Sequence, residues 1–488
     1  MKFLIALLSA IFLFNNISLA QEDPLDEFQK KMNQEFENYS NNMKENFETY
    51  RDSIDKLFAN AVKKYWEDFE VKPAKQPKGE PKPKNTPKVD PKDIAKDSSE
   101  NIPVVIIEDT THNVVKDTLV LPVDESNYPK ATIIFNFYGK EVSIDYDKTF
   151  ITKAPATLNE NAVGDYWGKM SDTKHYSTIE QLTKMKDELA LNDWGYFMLV
   201  KSFAEQLTGN EQNGTSILTW FLLQKSGYRC RVGYSENNLY LLLPSKNMIY
   251  GKNYFMINQM NYYVSTSNAA NLRIVAVEYP QAKKFFDLLI DRPLNFPKKP
   301  VLSEKKAKYF DKNYNFYLTY EDNLTRFLND YPSTNLEVYF NSEPSSTFMR
   351  GTKENIGKYL STLPEFDQVS FLLGYIQNGF KYKTDPEQFG KEKFFFVEEI
   401  LRYPFCDCED RAIYFSWLVR KLLDKEVIGL VYPGHVAAAV KFNSTQNGDF
   451  VIYNNEKYIV CDPTYIGAPV GMSMPEYKGK EVKVIQVK

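Results

Sequence analysis

The feature that most restricts the fold of this 488-residue chain is an internal repeat. Residues 412–440, AIYFSWLVRKLLDKEVIGLVYPGHVAAAV, align without gaps with residues 215–243, TSILTWFLLQKSGYRCRVGYSENNLYLLL. The alignment places Trp417 on Trp220, an offset of 197 (417 minus 220). Each segment has the pattern of a helix followed by strands. The repeat predicts two copies of one fold, in residues 101–335 and 336–488, with both tryptophans in the cores.

The first twenty residues, MKFLIALLSAIFLFNNISLA, have the pattern of a secretory signal peptide with cleavage after Ala20. Asn15 and Asn16 interrupt the apolar run before the ~20 residues that a membrane span needs. No later segment is apolar enough to span. We therefore expect a secreted or periplasmic protein without an integral membrane segment after cleavage. The net charge of −4 and the lack of a basic stripe argue against nucleic acid as a partner.

Residues 21–70 form the next predicted unit. Apolar residues recur every eleven positions, at Leu25, Phe36, Phe47, Phe58 and Phe69. This period of about 3.67 residues per turn predicts one amphipathic helix over 25–69. Its apolar face would pack against the protein itself, or would mediate self-association or partner binding.

Residues 71–100 follow as a linker in which prolines alternate with lysines. Such a composition predicts an extended, solvated spacer without a core of its own. The amphipathic helix would then be a module separate from the two repeats.

The patterns beyond residue 100 predict alternating groups of strands and helices. The predicted strands are 104–109, 118–123, 131–146, 229–243, 255–265, 336–341, 427–432, 435–442, 449–453 and 457–462. The predicted helices are 178–207, 215–226, 352–380 and 408–423. A hairpin turn is predicted at 454–457.

Three side chains of the second repeat suggest nucleophilic chemistry. Cys408 would begin a helix, where free backbone N–H groups favour a thiolate and can hold an oxyanion. His435 begins a predicted strand and Asp462 ends another. A histidine can take the proton of a thiol, and an aspartate can fix the orientation of that histidine.

The first repeat lacks all three of these side chains. The positions of Cys408, His435 and Asp462 correspond there to Glu211, Asn238 and Thr266. The first copy is therefore expected to keep the scaffold without the chemistry.

The motif CEDRA at 408–412 resembles the nucleophile motif of the transglutaminase-like superfamily of papain-like cysteine folds. GHVAAAVKF at 434–442 and YIVCDPTY at 458–465 resemble its histidine and aspartate strands. The resemblance covers about 366–472. It implies that Cys408 is the nucleophile, His435 the base and Asp462 the orienting acid. It also implies an α+β core, in which a helix carrying the cysteine packs on an antiparallel sheet carrying the other two.

Two details lie outside the motifs of that family. Val-Ala follows His435, where Ala-Trp is common, so the substrate cleft could differ in shape. No motif identifies the oxyanion donor, for which Gln388 in DPEQFG is a candidate.

The other cysteines leave alternatives open. Four cysteines are too few for a disulfide framework, but a Cys406–Cys461 disulfide is compatible with export. Cys406, Cys408, His435 and Cys461 have the ligand count of a zinc site. Adjacent strand residues face opposite sides, so Cys461 and Asp462 cannot both face His435. We therefore expect neither a metal nor another cofactor.

The sequence thus favours an exported thiol enzyme that acts on amide or peptide bonds through an acyl-thioester, as a peptidase or amidase on a peptide or protein substrate. A protein-glutamine cross-linking transferase is one alternative, because an amine can resolve the thioester in place of water. A non-catalytic module that binds peptide or glycan is another.

Overall fold

The computed structural model of this chain describes residues 24–40, 47–77, 82–83, 86–90, 128–266, 269–309 and 311–488. The predicted signal peptide and the predicted strands at 104–109 and 118–123 lie outside these residues. The fold is α+β, with antiparallel sheets and packed helices. Within the described residues no helix combines the length and apolar character that crossing a membrane requires.

The predicted single helix over 25–69 is wrong. The structure has helix α1 (Pro24–Ser40), helix α2 (Phe47–Val62) and strand β1 (Trp66–Phe69). The buried face of α2 belongs to the core of the first repeat, where the Phe58 ring lies 4.6 Å from that of Trp167. Strand β1 pairs with a strand of the first sheet at Leu272–Val275. The amphipathic segment is therefore part of the first repeat and not a separate module.

The first repeat contains a hairpin, four helices and a six-stranded sheet. Its elements are β2 (Lys130–Phe137), β3 (Lys140–Asp147), α3 (Glu160–Ser171), α4 (Tyr176–Glu188), α5 (Asp193–Thr208), α6 (Gln212–Lys225), β4 (Arg231–Ser235), β5 (Asn238–Pro244), β6 (Tyr254–Ile257), β7 (Met260–Val264) and β8 (Leu272–Val275). The predicted helix over 178–207 is two helices, separated where Ala190 adopts a φ of +53°. The sheet order is β1-β8-β4-β5-β7-β6.

A long hairpin and short helices connect the two sheets. They are β9 (Pro300–Tyr309), β10 (Lys312–Glu321), α7 (Asp322–Asn329), α8 (Leu336–Asn341), α9 (Ser346–Thr352), a π-helical turn (Lys353–Gly357), α10 (Lys358–Leu360) and α11 (Glu365–Gly379). The predicted strand at 336–341 is wrong, because this segment is α8. Its consecutive residues Val338, Tyr339 and Phe340 are all buried, which is not the alternation of a half-exposed strand.

After α11, the second repeat continues with short elements and ends in a five-stranded sheet. Its elements are β11 (Lys381–Tyr382), α12 (Asp385–Phe389), a 3₁₀ turn (Val397–Leu401), β12 (Phe405–Cys406), α13 (Cys408–Leu423), β13 (Val427–Tyr432), β14 (His435–Lys441), β15 (Phe450–Tyr453), β16 (Glu456–Cys461) and β17 (Lys483–Gln486). The predicted helix at 408–423 and the four predicted strands after it are confirmed. Asn454 and Asn455 form the hairpin turn, with φ of +50° and +62°.

The two sheets share one strand order. The first runs β6-β7-β5-β4-β8 and continues to β1, and the second runs β15-β16-β14-β13-β17. Helix α6 packs on β5, and helix α13 packs on the corresponding strand β14. Trp220 and Trp417 are both buried, as the sequence predicts. This shared topology supports the interpretation of the chain as two copies of one fold.

Candidate functional site

Helix α13 begins at the candidate nucleophile, and a carboxylate stabilises that start. Asp410 Oδ2 accepts a hydrogen bond from the backbone N–H of Asp407, the N-cap residue, at 3.2 Å. Its Oδ1 accepts another from the Phe395 N–H at 2.9 Å. Asp410 therefore satisfies backbone donors at the helix start, as capping carboxylates commonly do.

Gln388, the candidate oxyanion donor, lies beside the same turn. Its Nε2 donates to the Phe405 carbonyl at 3.2 Å. This bond holds β12, the strand that leads into Cys408. The structure thus shows Gln388 positioning the backbone before the cysteine, and its oxyanion role stays a prediction.

His435 and Asp462 are in direct contact. His435 Nε2 lies 2.8 Å from Asp462 Oδ2, and both residues are buried. Asp462 Oδ1 accepts from the backbone N–H groups of Thr464 and Tyr465 at 2.9 and 3.2 Å. The carboxylate is therefore fixed by the turn after β16. His435 Nδ1 is buried and has no hydrogen-bond partner among the described residues.

One hydrogen bond connects the turn after Asp462 to the cysteine helix, and a second connects Asp462 to α11. Arg411, in the first turn of α13, donates from Nη1 to the Pro463 carbonyl at 3.4 Å. Gln377 of α11 donates from Nε2 to the Asp462 carbonyl at 3.1 Å. The aspartate backbone therefore lies against the N-terminal end of α13, where Cys408 is.

The structure does not pair Cys408 with His435. The Cys408 thiol donates to Glu409 Oε2 at 3.0 Å. Along β14, Val436 and Ala438 pack in the core that contains α13, whereas Ala437 packs in a second core on the opposite face. By this alternation His435 belongs to the second face, where its ring stacks on Tyr477 at 4.9 Å. The sheet carries the histidine, as expected, but on the face away from the cysteine helix.

The surroundings of Cys408 oppose ionisation of its thiol. Complete burial raises its pKa well above the ordinary value, and the carboxylates of Glu409 and Asp407 raise it further. A lowered pKa was expected from the helix N-terminus alone. The nearby buried carboxylates outweigh that effect because the charges interact strongly where water is excluded.

An acidic pocket adjoins the thiol, and a lysine of the predicted linker occupies it. Lys82 Nζ lies 2.7 Å from Glu392 Oε2 and 2.9 Å from Asp407 Oδ2, and it also contacts Glu409. Asp385 Oδ2 is 3.9 Å away. We call these four carboxylates the acidic pocket.

The prediction of a solvated spacer is thus wrong at Lys82, whose side chain is only 10 % exposed. Nothing distinguishes this lysine from the other lysines of the linker in the sequence, so the pattern could not identify it.

Tyr382 of β11 is a second residue that the sequence motifs miss. Its hydroxyl is buried and has no hydrogen-bond partner among the described residues. Burial raises its pKa, and Cys408 is the first of the neighbouring groups that raise it further. An unpaired hydroxyl donor therefore lies near the candidate nucleophile.

The four cysteines are free and buried, so the alternative of a Cys406–Cys461 disulfide is wrong. Cys406 Sγ lies 3.7 Å from the Lys381 carbonyl, and Cys461 Sγ lies 3.7 Å from the Ile459 carbonyl. Among the described residues, two groups of carboxylates have ligand atoms close enough to hold a metal: Asp385 with Glu392 and Glu409, and Asp385 with Asp407 and Asp410.

The first repeat has different chemistry at the equivalent places. Glu211 is the N-cap of α6, and its carboxylate accepts from the Asn213 and Gly214 N–H groups at 2.9 and 2.6 Å. Asn238 begins β5, as His435 begins β14. A charged cap therefore stands where the second repeat has its thiol.

Comparison with protein-family models, with curated proteins and with solved structures finds no match to this chain.

Proposed function

We propose that this chain is an exported thiol enzyme with a transglutaminase-like core, which cleaves amide or peptide bonds through an acyl-thioester on Cys408. The contact between His435 Nε2 and Asp462 Oδ2 is the observation that carries the proposal. A carboxylate held by two backbone N–H groups fixes the ring, and the second ring nitrogen remains without a partner among the described residues. An oriented imidazole with one unpaired nitrogen suits a general base.

The reaction follows from these roles. His435 Nδ1 takes the thiol proton as Cys408 Sγ bonds to the amide carbon. The imidazolium then gives its proton to the amine, which leaves as the C–N bond breaks. Water, deprotonated by the same imidazole, attacks the thioester, and the carboxylic acid and the thiol are released. Backbone N–H groups at the start of α13 and the Tyr382 hydroxyl are the nearby donors for the oxyanion.

The described conformation requires one rearrangement before this chemistry. The thiol must leave Glu409, and the start of β14 must move, with the His435–Asp462 contact kept, so that the imidazole reaches the face of the sheet on which α13 packs. His435 is the first residue of β14 and follows Gly434, whose φ of +75° marks a tight turn. Catalytic hydrogen bonds often form only when substrate is bound.

A second candidate function is a non-catalytic binding module. The bond from the Cys408 thiol to Glu409 and the raised thiol pKa favour it. In that case the buried carboxylates, and not the sulfur, would be the functional groups.

Acylation by p-nitrophenyl acetate separates the two candidates. The full mature protein is compared with Cys408→Ala and with the matched variant Cys406→Ala, which removes another buried thiol two residues away. An enzyme gives a burst of p-nitrophenol and an acetyl group on the peptide containing Cys408, and only Cys408→Ala abolishes both. Equal, slow release by all three proteins would reject the enzyme.

A further inference from the structure

The acidic pocket holds an ammonium group with all of its hydrogens engaged. A lysine ammonium has three donors, and Lys82 directs them to Glu392, Asp407 and Glu409. The ammonium also lies 5.9 Å from the centre of the Phe394 ring, within the range of a cation–π contact. The pocket therefore matches a compact ammonium group.

Because three of the four carboxylates of the acidic pocket are buried, they require a cation as a partner. Asp407, Glu409 and Asp385 are at most 1 % exposed. Unpaired buried carboxylates are strongly unfavourable, so the pocket without a cation would have to take up protons or another cation. Asp407 Oδ1 is itself buried and without a partner among the described residues, so the pocket retains an unused acceptor.

Described residues before and after Lys82 form backbone hydrogen bonds with the two repeats. The Lys72 N–H donates to the Tyr254 carbonyl at 2.8 Å in the first repeat. On the other side of Lys82, the Val89 N–H donates to the Ile466 carbonyl at 3.0 Å, and the Ile466 N–H donates to the Pro87 carbonyl at 2.9 Å. Backbone pairing around one inserted side chain is how proteins bind extended peptides.

The place of attachment is close to the candidate active site. Ile466 lies four residues after Asp462, on the turn that fixes the orienting carboxylate. Glu409 contacts the Lys82 ammonium through Oε1 and the Cys408 thiol through Oε2. One side chain thus touches both the bound lysine and the candidate nucleophile.

We propose that the acidic pocket is a binding site for the lysine of a proline-containing peptide, and that Lys82 of this chain fills it in cis. Another peptide of this kind enters only when Lys82 leaves. That such a peptide would lie beside a nucleophile rests on the proposed function. The binding of the peptide lysine by the acidic pocket does not depend on that function.

The test measures binding of a fluorescein-labelled peptide with the sequence of residues 81–90, PKPKNTPKVD, by fluorescence anisotropy. The proteins are the full mature chain, Lys82→Ala, and the matched control Lys88→Ala, whose lysine is exposed in the same segment. A tethered segment competes at an effective concentration in the millimolar range. Lys82→Ala should therefore bind the peptide at least about tenfold more tightly than the other two proteins. A peptide with alanine in place of the lysine at position 82 should bind Lys82→Ala no more tightly than it binds the other two proteins.

A second measurement follows the segment in cis. Trypsin cleaves after Lys84, and we expect this cleavage to be at least about tenfold faster in Lys82→Ala than in the unaltered protein or Lys88→Ala, because the cis segment then opens more often. If Lys82→Ala does not fold, Glu392→Gln, which removes one carboxylate at the edge of the pocket, provides the same comparison.

Three results would overturn the proposal: equal peptide affinity for all proteins, binding that does not depend on the peptide lysine, or calcium binding to Lys82→Ala in preference to the peptide. All measurements are repeated in Cys408→Ala, where no acylation can occur. Lysine-dependent binding without acylation in any protein would therefore support this site while rejecting the proposed enzyme.

Discussion

His435 Nε2 and Asp462 Oδ2 lie 2.8 Å apart in a region closed to solvent, and two backbone N–H groups hold the other oxygen of the same carboxylate. The imidazole orientation is therefore set by the turn after β16, although the ring itself belongs to β14. This arrangement makes the carboxylate a positioning group, whose loss should alter reactivity more than stability.

Asp462→Asn tests this relationship. The amide keeps the shape of the side chain and can still accept from the Thr464 and Tyr465 N–H groups. Its NH₂ group, however, can donate to Nε2 and stabilise the wrong tautomer of the imidazole. We expect acylation of Cys408 by p-nitrophenyl acetate to slow about 10³-fold or more, with a nearly unchanged melting temperature.

The control for this prediction is Asp449→Asn. That carboxylate accepts from the Ser473 N–H at 2.9 Å and pairs with the Lys478 ammonium at 3.5 Å. Acylation by Asp449→Asn should match that of the unaltered protein. An Asp462→Asn variant that acylates at the same rate would show that the aspartate does not orient a base.

Asp385 gives the acidic pocket a dependence on pH. Burial and then the Glu409 charge raise the pKa of this carboxyl to about 8, although Lys82 opposes the shift. In the unfolded chain its pKa is about 3.9. Between these values the folded state holds a proton that the unfolded state has lost. The free energy of unfolding therefore falls as pH rises from about 4 to 8, by at most about 1.4 kcal/mol per pH unit.

Asp385→Asn removes this contribution and keeps an acceptor for the Lys393 N–H. We expect its melting temperature, relative to that of the unaltered protein, to increase from pH 5 to about pH 8 and to level off above that. A difference that stays constant over this range would contradict the raised pKa.

Local patterns predicted the second repeat well. Residues 408–423 and the four strands after them combine a helical period, β-branched runs and a turn of two asparagines, all of which act within a few residues. The repeat that underlies the shared strand order of the two sheets was likewise predictable, because the segments around Trp220 and Trp417 align without gaps. The family resemblance, and not these signals, implied that the helix carrying Cys408 packs on the sheet carrying His435 and Asp462.

Long-range contacts explain what the patterns missed. Residues 66–69 leave the helical period because β1 pairs with β8, about 200 residues later in the chain. In the acidic pocket, Lys82 binds carboxylates that lie more than 300 residues later in the chain, such as that of Asp407. Whether His435 faces the cysteine helix depends on the registration of β14 against that helix. None of these relationships has a local sequence signal.

A buried ion pair tests whether the N-terminal helices belong to the fold. Asp55 of α2 contacts the ammonium of Lys225 in α6, and both side chains are almost completely buried. Asp55→Ala would leave a buried charge unpaired, which costs about 3–5 kcal/mol. We expect a large decrease in the urea midpoint. The double variant Asp55→Leu, Lys225→Met should have a urea midpoint close to that of the unaltered protein.

The control is Lys63→Ala, which removes a surface ion pair with Asp165. The side chain of Lys63 is 32 % exposed and that of Asp165 is 54 % exposed. Pairs of this kind contribute about 0–1 kcal/mol. If Asp55→Ala were as stable as Lys63→Ala, the α2 helix would not be part of the first repeat's core.

Gly429→Ala tests the helix found where a strand was predicted. A Cβ at Gly429 in β13 would lie 2.9 Å from Phe340 Cζ of α8 and 3.2 Å from Ile485 Cβ of β17. Both neighbours are buried, so they cannot move aside freely, and overpacking of this kind costs about 1–3 kcal/mol. Gly351→Ala is the control, because its added methyl meets nothing within 4 Å and it lies in helix α9. The control should gain about 0.5–1 kcal/mol. Equal melting temperatures for the two variants would mean that α8 does not cover β13.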